Sequence, residues 1–138
     1  MSTAAVGSVN YLLSNAAGVT THVAAARIFT GVLAQDVVLP AILVRQVSGT
    51  EDRDVAMGAG RLHRARIQVT VYTDGDDGYT LKKTILKAVR DALAATKGSV
   101  NGVAVESILP DGEGPDLDDP GKPLFEQSRD FLVVWHPA

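Results

Sequence analysis

The stretch RLHRARIQVTVYT, residues 61–73, decides the fold class because most of it alternates strictly between apolar and polar side chains. The apolar positions fall on every second residue, namely Ala65, Ile67, Val69 and Val71. This period of two is that of a β-strand with one dry face and one solvated face. A slip of one residue would bury Arg64 and Arg66, so the pattern also fixes the register of the strand.

Further strands are predicted on both sides of this one. LPAILVRQVSG, residues 39–49, is apolar on both faces, which indicates cover from both sides by helices or by a neighbouring subunit. RIFTGV (27–32) and GVAVESIL (102–109) are typical of shorter strands. A last strand is expected from Leu124 to His136, and its segment FLVVW is again apolar on both faces.

Two helices complete the predicted architecture. TDGDDG (73–78) is typical of a turn and a helix start, with Asp77 as the N-cap residue. The helix is expected from about Tyr79 to Thr96, with an apolar stripe on one side, lysines on the other and Gly98 as its stop. An N-terminal helix is expected from about Thr3 to Ser14, and a second short helical turn over residues 19–25.

This order of elements predicts an α+β fold in a single domain, residues 1–138. We expect a largely antiparallel sheet of four to five strands, packed by one long helix and an N-terminal helix. The connections 50–60 and 110–123 are both predicted to be long loops, the second of them acidic and rich in proline and glycine.

Composition limits the classes of function. The chain of 138 residues has a net charge of −3, whereas dedicated nucleic-acid binders are usually basic. It has no cysteine, which excludes thiol catalysis, thiolate-bound zinc, iron–sulfur clusters and disulfides. No apolar run approaches the ~20 residues of a membrane span, and the N-terminus lacks the features of a signal peptide, so we expect a protein made in the cytoplasm without a membrane partner.

The sequence predicts no catalytic residue, cofactor or metal. His22, His63 and His136 lie far apart and in no recognisable motif. The aspartates of residues 110–123 do not have the spacing of a calcium-binding loop, so a solvated loop is the expectation there. GAGRL, residues 58–62, lacks the full glycine pattern of a phosphate-binding loop.

Several residues have two possible roles. Arg64 and Arg66 either line a solvent-facing strand or pair with the acidic loop of another subunit through residues such as Asp116 and Asp118; direct nucleic-acid recognition is disfavoured. Val55 and Met57 either tuck onto the domain or wait for a partner. The apolar face formed by Phe131, Val133 and Trp135 serves either as core or as interface.

The ordered set of segments resembles a known family. After an N-terminal helix come RIFTG, LPAILVRQVSG with its leading Leu-Pro, GRLHRARIQVTVYT, GYTLKKTILKAVRDAL and the ending RDFLVVWH. In this order and spacing they resemble the short tail-completion proteins, or tail terminators, of long-tailed bacteriophages and prophages. The segment TDGDDG stands where many members have an alanine-rich helix start, which leaves the boundary of the helix open.

The resemblance implies a compact domain that assembles into a ring, usually a hexamer. Such a ring caps the tail tube at the tail–head junction of the virion, stops tube polymerisation and joins the tail to the head connector, while DNA passes through the lumen. It brings no catalytic residue. The candidate contact residues toward other subunits or partners are Val55, Met57, Arg64, Arg66, Asp116, Asp118, Phe131, Val133 and Trp135. The alternatives are a connector adaptor ring on the head side and, in another class, a small cytoplasmic enzyme or ligand-binding domain with a polar pocket.

Overall fold

The computed structural model describes residues 3–51, 62–94, 96–118 and 124–136. These ranges contain three α-helices, α1 (Ala4–Ser14), α2 (Ala17–Thr20) and α3 (Gly78–Leu93), and a 3-10 turn at Ala25–Arg27. They also contain seven strands: β1 (Ile28–Thr30), β2 (Ala41–Glu51), β3 (His63–Asp74), β4 (Gly98–Val100), β5 (Val103–Glu113), β6 (Leu117–Asp118) and β7 (Leu124–His136).

All seven strands belong to one sheet, in the order β1-β2-β3-β7-β5-β4, with β6 also paired to β7. The β1–β2 pair is parallel and every other described pair is antiparallel. The strand that opened the sequence analysis, β3, lies in the middle, where Ile67 faces Gln46 of β2 and Phe131 of β7. The prediction of a largely antiparallel sheet is therefore confirmed.

The predicted number of elements was too low. The prediction of four to five strands and two helices is corrected to seven strands and three helices within the described residues. The strands β4 and β6 have three and two residues, too few for a period of two to be visible in the sequence. The short helical turn predicted for residues 19–25 overlaps the four-residue helix α2, which begins and ends earlier in the chain than predicted.

Two segment boundaries also differ from the prediction. The strand β5 continues to Glu113, through residues expected to be loop, because it pairs with β7 as far as Arg129. Shifts of register on either side of Glu106 and Asp111 let it accommodate Pro110 and Gly112. The helix α3 ends at Leu93, and Gly98, expected to stop it, instead opens β4.

The helices pack on one face of the sheet, which we call the inner face. α1 contacts β1 and β2, whereas α3 contacts β3 and β7. The predicted alternation in β3 is confirmed, since its four apolar residues are at most 1% exposed. The same core contains aliphatic residues of both helices, including Val9, Leu13, Ile85, Val89 and Leu93.

The opposite face, the outer face, carries the arginines of β3 and is only partly dry. Thr70 is buried there and shares a hydrogen bond of 2.9 Å with Ser128 of β7. Ala41 and Leu43 of β2 are buried as well, but Val47, further along the same strand, is 53% exposed. One subunit therefore covers only part of the apolar surface that the sequence of β2 carries.

Candidate subunit interface

The apolar segment FLVVW, residues 131–135 of β7, lies inside the subunit. Phe131 and Val133 are fully buried on the inner face of β7, and Trp135 is 6% exposed. The indole of Trp135 lies 5.4 Å from the imidazole of His63, measured between ring centroids. All three belong to the hydrophobic core, and any further role in contacting another subunit remains a prediction.

Arg66 pairs with acidic residues of its own chain. Its guanidinium forms an ion pair with Asp111 of β5 and lies 3.5 Å from a carboxylate oxygen of Asp130. All three side chains are partly exposed, and such pairs contribute only ~0–1 kcal/mol each to stability. Arg64 projects from the same outer face, opposite Val134. Pairing between an arginine and the acidic segment thus occurs, but for Arg66 it occurs within the subunit.

A second acidic residue, Asp116, is held by α3. The ammonium groups of Lys82 and Lys83 each lie 2.8 Å from its Oδ1, and the hydroxyl of Tyr79 donates to its Oδ2 over 3.0 Å. These four residues are called the Asp116 clamp. Hydrogen bonds from Lys82 and then Lys83 hold the pKa of the Asp116 carboxyl well below its usual range. The hydrogen bond to Asp116 in turn raises the pKa of Lys83.

The Lys82 side chain is completely buried, which contradicts its predicted place on the solvated side of the helix. A signal for this existed in the sequence, because Lys82 stands three and four residues before Ile85 and Leu86. It therefore falls on the apolar stripe of α3. The long aliphatic part of lysine can be buried when its charged end reaches a partner, here Asp116.

Gln127 extends the clamp into the sheet. Its amide nitrogen donates to the carbonyl of Gly114 and to Glu113, and its amide oxygen accepts from Lys83 over 2.7 Å. The segment from Glu113 to Asp116 is therefore fixed to both α3 and β7.

The next two residues, Leu117 and Asp118, form β6 and are called the β6 knob. They pair with Phe125 and Glu126 at the edge of β7, yet Leu117 is 49% exposed and Asp118 is also exposed. Within the described ranges Asp118 has no ion-pair partner, although Asp116 two residues earlier has two. The knob thus presents an apolar side chain and an exposed carboxylate on a fixed backbone.

A groove lies at the opposite edge of the sheet. The strand β1 pairs with β2 only as far as Val44. Along residues 45–51, no strand of the described part of the chain pairs with this edge of β2. The groove at this point has a volume of about 320 Å³ and is called the β2 groove. It is lined by Thr3, Val6, Thr30, Gly31, Val44, Arg45 and Gln46.

Arg45 is the charged residue among those that line the β2 groove. Its side chain is exposed and donates a hydrogen bond of 2.9 Å to the amide oxygen of Gln68. No carboxylate among the described residues forms an ion pair with it.

A larger cleft of about 430 Å³ lies at the end of the sheet, between residues 33–39 and the β6 knob. Most of its lining is apolar, and its acidic groups are Asp118 and Glu126. Burial and the neighbouring Glu126 raise the pKa of Tyr72 in its wall. This lining lacks the convergent polar set of a catalytic pocket.

Two of the three histidines have partners other than histidine in the structure. The ring of His63 is tilted by 51° against that of Trp135, while His136 lies 3.0 Å from Glu106. Hydrogen bonds from His136 and Lys97 lower the pKa of Glu106. The described residues contain no group of three or more histidine or acidic side chains placed to hold a metal ion, and none of their helices is long and apolar enough to cross a membrane.

Of the remaining candidate contact residues, Val55 and Met57 lie outside the described residues, so their predicted role remains a prediction. Residues that the sequence reasoning missed are Lys82, Tyr79 and Gln127, which fix the acidic segment, and Arg45, which lines the β2 groove.

Comparison with known proteins shows the family of the chain. Residues 8–122 match the family described as "Tail completion protein gp17". The chain belongs to this family of bacteriophage proteins. No curated protein matches the sequence. A chain of the solved structure "Virion of native gene transfer agent (GTA) particle" shares the fold, with a TM-score of 0.71 and 14% identity over 99% of this chain and 98% of that one.

Tail-completion proteins are structural components of the virion and not enzymes, so this chain has a structural role in the phage tail. The features that matter for such a role are surfaces that contact other protein subunits. In this tail-completion protein the candidates are the β2 groove and the β6 knob, which lie at opposite edges of the sheet.

Proposed function

We propose that this protein assembles into a closed ring, a hexamer, on the end of the finished tail tube. The ring ends polymerisation of the tube protein and joins the tail to the head connector. Its membership of the tail-completion family supports this proposal. In this role the protein acts at the tail–head junction after assembly in the host cytoplasm, in phages or in prophage-derived particles.

The observation that carries the proposal is the position of the exposed large aliphatic residues. Val32 and Val47, 78% and 53% exposed, lie at the β1–β2 edge of the sheet, and Val38, 66% exposed, lies in the connection between these two strands. Leu109 and Leu117, 52% and 49% exposed, lie at the β5–β6 edge. In a ring of identical subunits each contact joins two different surfaces, so every subunit needs two complementary sites. Two apolar edges on opposite sides of one sheet meet that requirement.

The two axial faces of the ring would contact the tail tube protein on one side and the head connector on the other. DNA passes through the lumen, where weak and non-specific contact is sufficient. A net charge of −3 on the subunit is compatible with such passage, because tight binding of the phosphate backbone depends on lysine and arginine contacts.

The test is removal of the gene from the phage, followed by electron microscopy of the particles. We expect tails that are abnormally long and carry no head, with normal length restored by the protein supplied in trans. Tails of normal length that lack heads would favour the head-side adaptor, and fully normal particles would refute both roles. Native mass spectrometry of the protein bound to isolated tail tubes measures the number of subunits in the ring.

A further inference from the structure

The β6 knob and the β2 groove lie on opposite sides of the sheet. The sheet order puts β2 near one edge, whereas β6 pairs with β7 on the side where β5 lies. One molecule therefore cannot bring its own knob to its own groove. A second copy can, and repetition of that contact between successive copies is the heterologous kind that closes a ring.

The shapes of the two features are complementary. The groove is lined mainly by small and aliphatic groups, and its volume of about 320 Å³ exceeds that of a leucine side chain. Leu117 is half exposed at the tip of the knob. Its transfer into the groove would remove apolar surface from water at ~25 cal/mol per Å².

The charges are complementary as well. Arg45 is among the residues that line the groove, and its guanidinium lies beside Gln68 on the outer face, exposed and without a carboxylate partner in the described residues. Asp118 is an exposed carboxylate that lacks a cation there. Many other acidic side chains of this region are already paired, as Asp111 is with Arg66. A bidentate arginine–carboxylate pair would fix the orientation of the contact as well as strengthen it.

The knob is held in place before it binds. The Asp116 clamp and the hydrogen bonds of Gln127 fix the backbone that leads into Leu117. A pre-organised segment loses little conformational entropy on association, so more of the contact energy appears as affinity.

The adjacent edge of β5 is less suited to the same task. It contains Pro110, which has no N–H to donate, and two shifts of register, near Glu106 and Asp111. Prolines and bulges are the devices by which natural proteins prevent edge-to-edge strand pairing. A knob in a groove, rather than a sheet continued from one subunit to the next, is the contact that this edge permits.

We propose that neighbouring subunits join by insertion of Leu117 of one copy into the β2 groove of the next, while Asp118 pairs with Arg45 on the outer face beside that groove. This contact rests on the ring proposed above and names the surfaces that build it.

Charge reversal tests the pairing. We expect R45E and D118R each to lower the fraction of ring on tail tubes at least tenfold, and the double variant R45E/D118R to restore most of it, as measured by native mass spectrometry. K87E and D91R reverse exposed charges on α3, away from both surfaces, and should assemble like the unaltered protein. Melting temperatures close to that of the unaltered protein show that the single variants fold.

Because the chain has no cysteine, a crosslink can test the contact directly. The variant T30C/L117C should form disulfide-linked multimers between copies when it is oxidised on tail tubes, whereas T30C alone and L117C alone should not form chains longer than dimers. If the unaltered protein forms rings and the single charge reversals form them equally well, or if the double variant is not restored, the knob and groove are not the contact. If the unaltered protein forms no ring even on tubes, the proposed function itself fails.

Discussion

The inner face of the sheet and its two lateral edges differ in how completely a single subunit buries their apolar side chains and pairs their charged ones. On the inner face Ile67, Phe131 and Val133 are fully buried, and even the charged end of Lys82 finds a partner in Asp116. At the edges Val47 and Leu117 are about half exposed, and Arg45 and Asp118 lack ion-pair partners among the described residues. The inner face explains why one chain folds, while the edges indicate that the folded chain is part of a larger assembly.

This difference teaches that substitutions should separate into two classes. Changes on the inner face should alter the free energy of unfolding and affect assembly only through it. Changes at the edges should leave unfolding nearly unaltered and act on assembly alone. The predictions below test that separation at positions chosen in pairs.

The largest effect is expected from Phe131→Ala. The Phe131 side chain is fully buried in the core, so its removal leaves a cavity and should lower the free energy of unfolding by about 3–5 kcal/mol. Urea denaturation followed by circular dichroism measures the change. The matched variant Val47→Ala, on an exposed strand position, should change stability by less than about 0.5 kcal/mol. Equal losses in the two variants would contradict the division between inner face and edges.

The features that could be predicted from the sequence lie mainly in the core strands of the sheet. The strict alternation of β3 predicted its burial pattern, because buried and solvated side chains alternate along a strand with one face in the core. The strand β7 was predicted with its observed bounds for a similar reason, since its apolar run must be covered on both sides.

The errors arose where long-range contacts override local preference. Pro110 and Gly112 are typical of a loop, yet pairing with β7 draws them into β5. Lys82 falls on the apolar stripe of α3, but its partner Asp116 is 34 residues away in sequence and comes beside it only in the folded chain. The β2 groove is formed by residues of α1, β1 and β2 that are far apart in sequence, so no local pattern could predict it.

A smaller change in the free energy of unfolding is expected when a glycine in either of the two longer helices is replaced by alanine. The two replacements should act in opposite directions, so that each serves as the control of the other. A Cβ at Gly78 would lie 2.7 Å from Cδ2 of Phe125, closer than the packing there allows. Gly78→Ala should therefore lower the free energy of unfolding by about 1–3 kcal/mol. At Gly7 in α1 no described atom beyond its chain neighbours and the backbone of its own helix lies within 4 Å of the same position. Gly7→Ala should raise stability by about 0.5–1 kcal/mol, because alanine is the better helix former.

Thermal or urea unfolding of both variants checks this pair. Stabilisation by both substitutions would mean that Phe125 yields without loss, and that the α3 start is not packed against β7 as tightly as the structure indicates. Loss of stability in both would show that the space around Gly7 is occupied in the folded chain, so that a methyl group there is not tolerated.

The smallest effect concerns pH and contrasts two aspartates that stand two residues apart. The clamp depresses the pKa of Asp116 below its ordinary value of 3.8, so the folded chain binds fewer protons there than the unfolded chain does. The clamp therefore contributes stability above pH 3.8, and that contribution is lost as the pH falls from there toward the lower folded value. Asp116→Asn should be less stable than the unaltered protein near neutral pH and should approach it in acid.

Urea midpoints measured from about pH 7 to about pH 2 give both curves. Asp118→Asn removes the same charge from the exposed knob, where no cation of the described chain holds it, so its curve should run parallel to that of the unaltered protein. If the curve of Asp116→Asn also ran parallel to that of the unaltered protein, the clamp would contribute nothing to folding. The segment that leads into the knob would then not be held by the clamp. If instead Asp118→Asn weakened ring formation while Asp116→Asn shifted the pH curve, the two carboxylates would be divided between assembly and folding.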